Sequence, residues 1–307
     1  MQRTLKKSFS FSGVCLHSGN DTSVTVHPAP ANTGIKFKRT DLKTSSEEKI
    51  IDAVVENIIE SQLCTSIQNK YGNKVSTIEH LMSALNGLGI DNALVDVDSD
   101  EVPILDGSSK IFVDLIDEAG IKNLRTSRKI VKILRPIIVG NKDVYIKATP
   151  AESFKVDYTI SYDHILLDHQ RLTLDYFDEN IYRELISNSR TFGFKDDVDM
   201  LLEKGLIKGG SLNNAVLLDE KGIVNEEELR YPDEFVRHKI LDFIGDIFLL
   251  GKKVEGHFEI FCGGHSLTQE LLKTLMSDKL NWKLMDENPS HIDKRSIESR
   301  TEISAAI

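Results

Sequence analysis

The stretch RHKILDFIGD, residues 237–246, constrains the chain more than any other. It sits in a run that reads as a buried helix, yet it carries His238, Asp242 and Asp246 at intervals of four. Four helical residues advance the direction of a side chain by only about 40°. All three groups therefore project along one stripe, flanked by Ile240, Leu241, Phe243, Ile244, Ile247 and Phe248. Ionisable groups in so apolar a setting need partners. One reading is a buried hydrogen-bond network in which His238 meets Asp242; the other is a divalent ion held by both.

A second cluster bears on that choice. VSTIEHLMSALNGLGIDN, residues 75–92, has Ser76 and Glu79 at capping-box spacing, so Glu79 has a structural role open to it at a helix start. The rival reading gives the imidazole of adjacent His80 to a metal and makes Glu79 the group that activates water there. His80, His238 and Asp242 then supply the three protein ligands usual for a catalytic zinc, with one position left open. In FCGGHSL, 261–267, His265 follows two glycines; it is either structural or a general acid held by Asp246. Cys64 in SQLCTS lies in a strand-like run without an evident base, so an inert half-buried thiol competes with a nucleophile. Neither HExxH, nor a P-loop lysine after GGSLNNAVLLD (209–219), nor GxGxxG occurs.

The chain has 307 residues, 40% of them hydrophobic, enough for two domains with cores of their own. A formal net charge of −10 disfavours nucleic acid as a partner. Cys15, Cys64 and Cys262 are scattered and odd in number, which fits a reducing cytoplasm. No run approaches the ~18 apolar residues of a transmembrane helix, and SFSFSGVCLHSG is too polar for a signal core. Alternating strands in 22–27, 34–40 and 92–97 are punctuated by helices near 77–88 and 111–120. After a polar linker at 121–129, strands in KIVKIL, DVYIKA and FKVDYTISY lead into helices in NIYRELIS, DDVDMLLEKG, 234–251 and LTQELLKTLMS. The second half repeats the mix of the first without any sequence repeat. Residues 286–307 are polar, lack a core pattern and read as a mobile tail.

GVCLHSG (13–19), VSTIEHL (75–81), PILDGS (103–108), RTFGF (190–194), GGSLNNA (209–215), HKILDFIGD (238–246) and GGHSL (263–267) together resemble the UDP-3-O-acyl-N-acetylglucosamine deacetylases, the zinc amidases of lipid A synthesis in Gram-negative bacteria. The motifs run in family order through about residues 3–280. The resemblance implies an α+β fold of two domains of similar topology, each a helix layer on a sheet, with the active site between them. The domains would be 1–125 and 126–285. It implies hydrolysis of the 2-acetamido group of UDP-3-O-(3-hydroxyacyl)-N-acetylglucosamine, releasing acetate.

Position by position, the resemblance makes His80, His238 and Asp242 the ligands of one Zn²⁺, with Fe²⁺ as the alternative ion in the cell. Glu79 becomes the general base, His265 the acid, Asp246 its orienting carboxylate and Thr191 the donor to the oxyanion. Lys239 falls near the substrate's phosphate or sugar, and His17 and Lys147 are further groups that could serve the diphosphate. Phe192 and Phe194 match the mouth of an acyl passage formed by a helix-rich insert at 190–210; Leu63 and Cys64 are further substrate contacts, and Tyr162 is placed to stack on uracil. Cys15 stands where a glycine is usual, and Cys262 where a lysine is common, which removes one basic contact to the diphosphate. The family implies a cytoplasmic monomer, and the amphiphilic substrate leaves room for peripheral contact with the inner membrane.

Overall fold

The computed structural model describes residues 1–287. The strands that the alternation predicts form, and five strands of each half line up in the same order, those of the second half within a seven-stranded sheet. In the first half, β1 (Phe9–Val14), β2 (Asp21–Pro28), β3 (Ile35–Arg39), β4 (Ile50–Asp52) and β5 (Ala93–Val97) line up as β1-β2-β5-β3-β4. In the second, β6 (Ile137–Gly140), β7 (Tyr145–Thr149), β8 (Phe154–Ile160), β9 (Gln170–Leu174) and β10 (Lys253–Phe261) line up as β6-β7-β10-β8-β9. The pairings also match in direction: β5 runs parallel to β3 and antiparallel to β2, as β10 runs parallel to β8 and antiparallel to β7. The duplication is topological, and no sequence repeat announces it.

Each central strand is bracketed by two helices. α1 (Glu79–Gly87) precedes β5 and α2 (Lys110–Ala119) follows it. α3 (Lys195–Glu203) lies in an insert of the second half, α4 (Glu234–Ile247) precedes β10, and α5 (His265–Ser277) follows it. The burial of β5 and β10 alternates with every residue, so one face of each sheet carries its helices. Val24, Val26, Phe37 and Val95 of the first sheet are buried in the core, while Phe243 of α4 packs on Phe154 and Phe258 of the second at centroid distances of 6.3 and 5.1 Å.

The two helix layers meet along α1 and α4. Their approach is set by Gly245: a Cβ there would lie 2.1 Å from the Glu79 carbonyl oxygen and 3.1 Å from the Ser83 nitrogen. Asn86 donates to the Ile244 carbonyl at 2.9 Å along the same seam. α4 is shorter than the apolar run that encodes it, because Phe248–Leu250 tighten into a 3₁₀ turn ended by Gly251 at φ +68°.

Three local expectations differ from what forms. Residues 190–210 comprise a strand, Phe192–Phe194, followed by α3, which buries none of its side chains. NIYRELIS folds into a short helix, Glu179–Ile181, widened to a π-turn over Tyr182–Ile186. Cys64 lies in a bend ahead of the strand Ser66–Gln68, since Leu63 takes φ +60°, a left-handed value that ends extended pairing. At the end of the second half, the strand Trp282–Asp286 pairs with Lys129–Ile133, and Glu287 accepts from Arg128 at 3.1 Å. Residues 288–307, the rest of the expected tail, lie outside the described residues.

Candidate functional site

The polar stripe of α4 faces the first turn of α1. His238 Nε2 and His80 Nε2 lie 3.3 and 3.4 Å from Asp242 Oδ1, and the two imidazoles meet edge to face. Among the described residues, His80, His238 and Asp242 are the group whose donor atoms, all within 4.8 Å of one another, suit a metal ion. Asp242 Oδ1 is buried without a hydrogen-bond partner. Ligands about 2.0–2.1 Å from a tetrahedral centre are about 3.3 Å apart, the spacing seen here between each imidazole and the carboxylate oxygen.

The ring orientations support the same fit. A carbonyl can only accept, so His238 Nδ1 carries the proton it donates to Ser189 O at 3.1 Å, leaving the Nε2 lone pair for a ligand. Burial pushes the His238 imidazolium down to about 3, so the ring is neutral. His80 Nδ1 has no protein partner. Burial opposes the charge of Asp242, but the cationic Lys239 and His265 beside it outweigh burial and hold the carboxyl well below the usual range.

Beside this group lie a carboxylate and an imidazole. Glu79 is 3% exposed, and its Oε2 accepts the Thr65 N–H at 2.9 Å. The capping box does not form: the residue ahead of α1 is Ile78 and no side chain caps the helix. Burial, only partly offset by His265 and His80, raises the Glu79 carboxyl above its ordinary value. His265, the first residue of α5, donates from Nδ1 to Asp246 Oδ2 at 2.7 Å. Its Nε2 faces Glu79 Oε1 at 4.0 Å and Asp242 Oδ2 at 3.8 Å. Burial opposes the charge of this ring, yet Asp246, Asp242 and Glu79 together push it up to about 10.

The rim assembles from several loops. Thr191 is fixed through its main chain, donating to Gly107 O and accepting from Val216 N, both at 2.8 Å. Gly107, at φ +81°, permits this contact: a Cβ would lie 2.1 Å from Asn214 O and 3.2 Å from Thr191 Cγ2. Buried Arg190 ties the same strand to the start of α4 through Glu234, at 2.8 Å from its main-chain N and 2.9 Å from Nε. Lys239 Nζ sits 2.9 Å from Asp242 Oδ2 and 5.6 Å over the Phe192 ring. Tyr162 packs against Phe192 and Phe194 at 6.2 and 5.8 Å, and Phe192 is 6.4 Å from His238, so these aromatics form one patch next to the metal group.

His17 is buried with neither ring nitrogen partnered; burial, opposed by Glu101 and reinforced by the charge of His265, lowers its titration. The loop that carries it is held by Glu101, which accepts the His17 and Ser18 N–H groups at 2.8 Å each. Cys64 is buried and burial pushes its thiol up to about 11, while Leu63 beside it is exposed. Lys147 stands apart on β7, paired with Glu259 at 3.5 Å. Cys262 Sγ accepts from Ser161 N at 3.3 Å and so takes part in a loop contact.

Sequence reasoning passed over Thr65, Glu101 and Gly107. Thr65 and Glu101 carry no motif of their own; they become visible only when the loops they hold meet the site. Gly107 stands inside the PILDGS motif, but its close contact is with the other half of the molecule.

Two α+β halves with a three-donor metal group, a carboxylate and a carboxylate-held imidazole at their seam define a metal-dependent hydrolase. Residues 2–277 match the family model for UDP-3-O-acyl N-acetylglycosamine deacetylases. Proteins named UDP-3-O-acyl-N-acetylglucosamine deacetylase are similar along nearly the whole chain. The one from Pseudoalteromonas atlantica is 43% identical over 291 residues, covering 94% of each chain. Those from Shewanella halifaxensis and Neisseria meningitidis serogroup B are both 42% identical, covering 92% and 91% of each chain respectively. The chain belongs to the UDP-3-O-acyl N-acetylglycosamine deacetylase family.

Proposed function

We propose that this chain hydrolyses the 2-acetamido group of UDP-3-O-(3-hydroxyacyl)-N-acetylglucosamine, giving acetate and the free 2-amine, as the committed step of lipid A synthesis. The observation that carries this reading is the packing of Glu79 and the Asp246-held His265 against the His80, His238 and Asp242 group. Two imidazole nitrogens and a carboxylate suit Zn²⁺, with Fe²⁺ the alternative. When bound, the ion supplies Lewis acidity to the amide carbonyl and acidity to water.

Glu79 takes a proton from the attacking water, whose oxygen bonds to the acetyl carbon. The Thr191 hydroxyl, free of other side-chain hydrogen bonds among the described residues, donates to the oxygen that gains charge. His265 delivers the proton from Nε2 to the amine nitrogen as the carbon–nitrogen bond breaks, while Asp246 holds Nδ1–H. Phe192 and Phe194 border the acyl chain, with Leu63 and Cys64 as further contacts; Lys239 and His17 meet the phosphates and Tyr162 the uracil ring. No helix among the described residues is long and apolar enough to cross a membrane. Ile165, Met200, Leu202 and Leu212, all exposed in or near the insert, support peripheral contact with the inner membrane; the family resemblance alone points to a cytoplasmic monomer.

The test is acetate release from this substrate by protein stripped of metal and then given one equivalent of Zn²⁺. Release in the reloaded sample alone is expected. A folded, zinc-loaded protein that releases none overturns the reading.

A further inference from the structure

Thr65 touches both halves of the proton-transfer apparatus. It is fully buried, between the bend that holds Cys64 and the strand Ser66–Gln68. Its main-chain N–H donates to Glu79 Oε2 at 2.9 Å, and its carbonyl accepts the N–H of Ile78, the residue ahead of α1, at 3.4 Å. Its hydroxyl donates to Asp246 Oδ1 at 2.6 Å, a charge-assisted bond of short length. The same oxygen lies 3.2 Å from His265 Nδ1, whose proton goes to the other oxygen of Asp246 at 2.7 Å.

We infer that Thr65 is a positioning residue that sets the His265 imidazole relative to the Glu79 carboxylate. The inference rests on the roles given above to Glu79 and His265. A carboxylate held at one oxygen can still swing about its Cβ–Cγ bond. Asp246 is held at both: Thr65 fixes Oδ1, so Oδ2 stays in line with His265 Nδ1–H. Because the threonine's main chain grips Glu79 as well, one residue of the first half registers a base on α1 against an acid on α5. A hydroxyl has one proton to give, and here Asp246 receives it, so Thr65 takes no part in moving the substrate's protons.

The variants that separate positioning from packing are Thr65→Val, which keeps the shape and the main-chain N–H but loses the hydroxyl, and Thr65→Ser, which keeps the hydroxyl. Both are assayed in the zinc-loaded full chain for metal content, kcat, KM and the His265 Nδ1–H resonance in ¹⁵N-histidine-labelled protein. In Thr65→Val we expect one equivalent of zinc, KM within about twofold, kcat lowered about 10- to 100-fold and the Nδ1–H resonance displaced, since misplacement by about 1 Å costs up to about 10²-fold. Thr65→Ser is expected to stay within about threefold of wild type in kcat, with the resonance in place. Should Thr65→Val not fold, Thr65→Ala gives the same readings.

Unchanged kcat and resonance in the valine variant overturn the inference. So does a serine variant as impaired as valine, which would assign the effect to the threonine methyl. If wild-type protein releases no acetate, the functional reading fails first; the resonance needs no turnover, and its persistence in Thr65→Val still overturns the positioning of His265.

Discussion

The two halves share strand order, strand direction and the bracketing of a central strand by two helices, but they use those equivalent places differently. α1 offers its first turn to the site, Glu79 and His80, and after it carries no ionisable group. Its counterpart α4 offers a stripe along its length, His238, Asp242 and Asp246. The segment after β10 begins α5 with His265, whereas the segment after β5 supplies Glu101 and Gly107, which hold loops. In the mechanism proposed above, a duplicated scaffold thus divides its labour: the second half would carry most of the chemistry, and the first would complete it and fix the rim. Since His80 stands on α1 and His238 and Asp242 on α4, neither half supplies all three donors of the candidate metal group.

The sharpest way to break that picture is to remove a ligand from either side. Asp242→Ala and His80→Ala are both expected to lose the ion, read by metal content after gel filtration, and to lower turnover by about three or more orders of magnitude, since several kcal/mol of transition-state stabilisation go with it. If either variant keeps a full equivalent of zinc, the division across the seam is wrong. Next in size, Glu79→Ala is expected to keep the ion and lose about 10²- to 10⁴-fold in turnover, the scale of a general base. Undiminished turnover in that zinc-loaded protein removes the role.

The seam itself is tested by Gly245→Ala. Its new Cβ meets the Glu79 main chain, so α1 and α4 must part; we expect a loss of about 1–3 kcal/mol in urea unfolding together with reduced turnover. Gly193→Ala, whose Cβ would meet nothing within 4 Å, serves as the control. Equal stability of the two variants would show that the helices are not held by this contact.

The last test lies at the far end of α1 and concerns stability and pH, not turnover. Burial and the charge of Arg128, against Glu287 and Asp91, lower the Lys253 ammonium to about 8. Its folded value is below its unfolded one, near 10.4, so the unfolded chain binds more protons between those values. The penalty is therefore full below about pH 8 and fades as pH rises to about 10.4, and stability should climb through that window by an amount that Lys253→Met abolishes. Unfolding at pH 7.5 and 10 reads it; the same slope in both proteins would assign the climb to other groups.

Much of the site was legible before the fold was known. His238, Asp242 and Asp246 share a stripe because helical periodicity makes residues four apart neighbours, and the apolar residues around them require the helix to be buried. The strands followed from alternation, and the absence of an apolar span of membrane length could be read directly. Other features could not be read locally. The rule that offered Glu79 a capping box uses four consecutive residues, and the structure gives Glu79 a partner, Thr65, that the rule cannot see. Cys64 alternates like a strand residue, but Leu63 before it adopts a left-handed backbone that alternation cannot foresee.

By itself, then, the sequence determined which residues line a face and which segments must be buried, since both depend on periods of two or about 3.6 along the chain. The tertiary structure decided which faces meet. The equal order of the two sheets, the 2.1 Å clearance at Gly245 and the bridge from Thr65 to Asp246 arise from packing between segments remote in sequence, where shape and hydrogen-bond geometry select the partner and no local period records it.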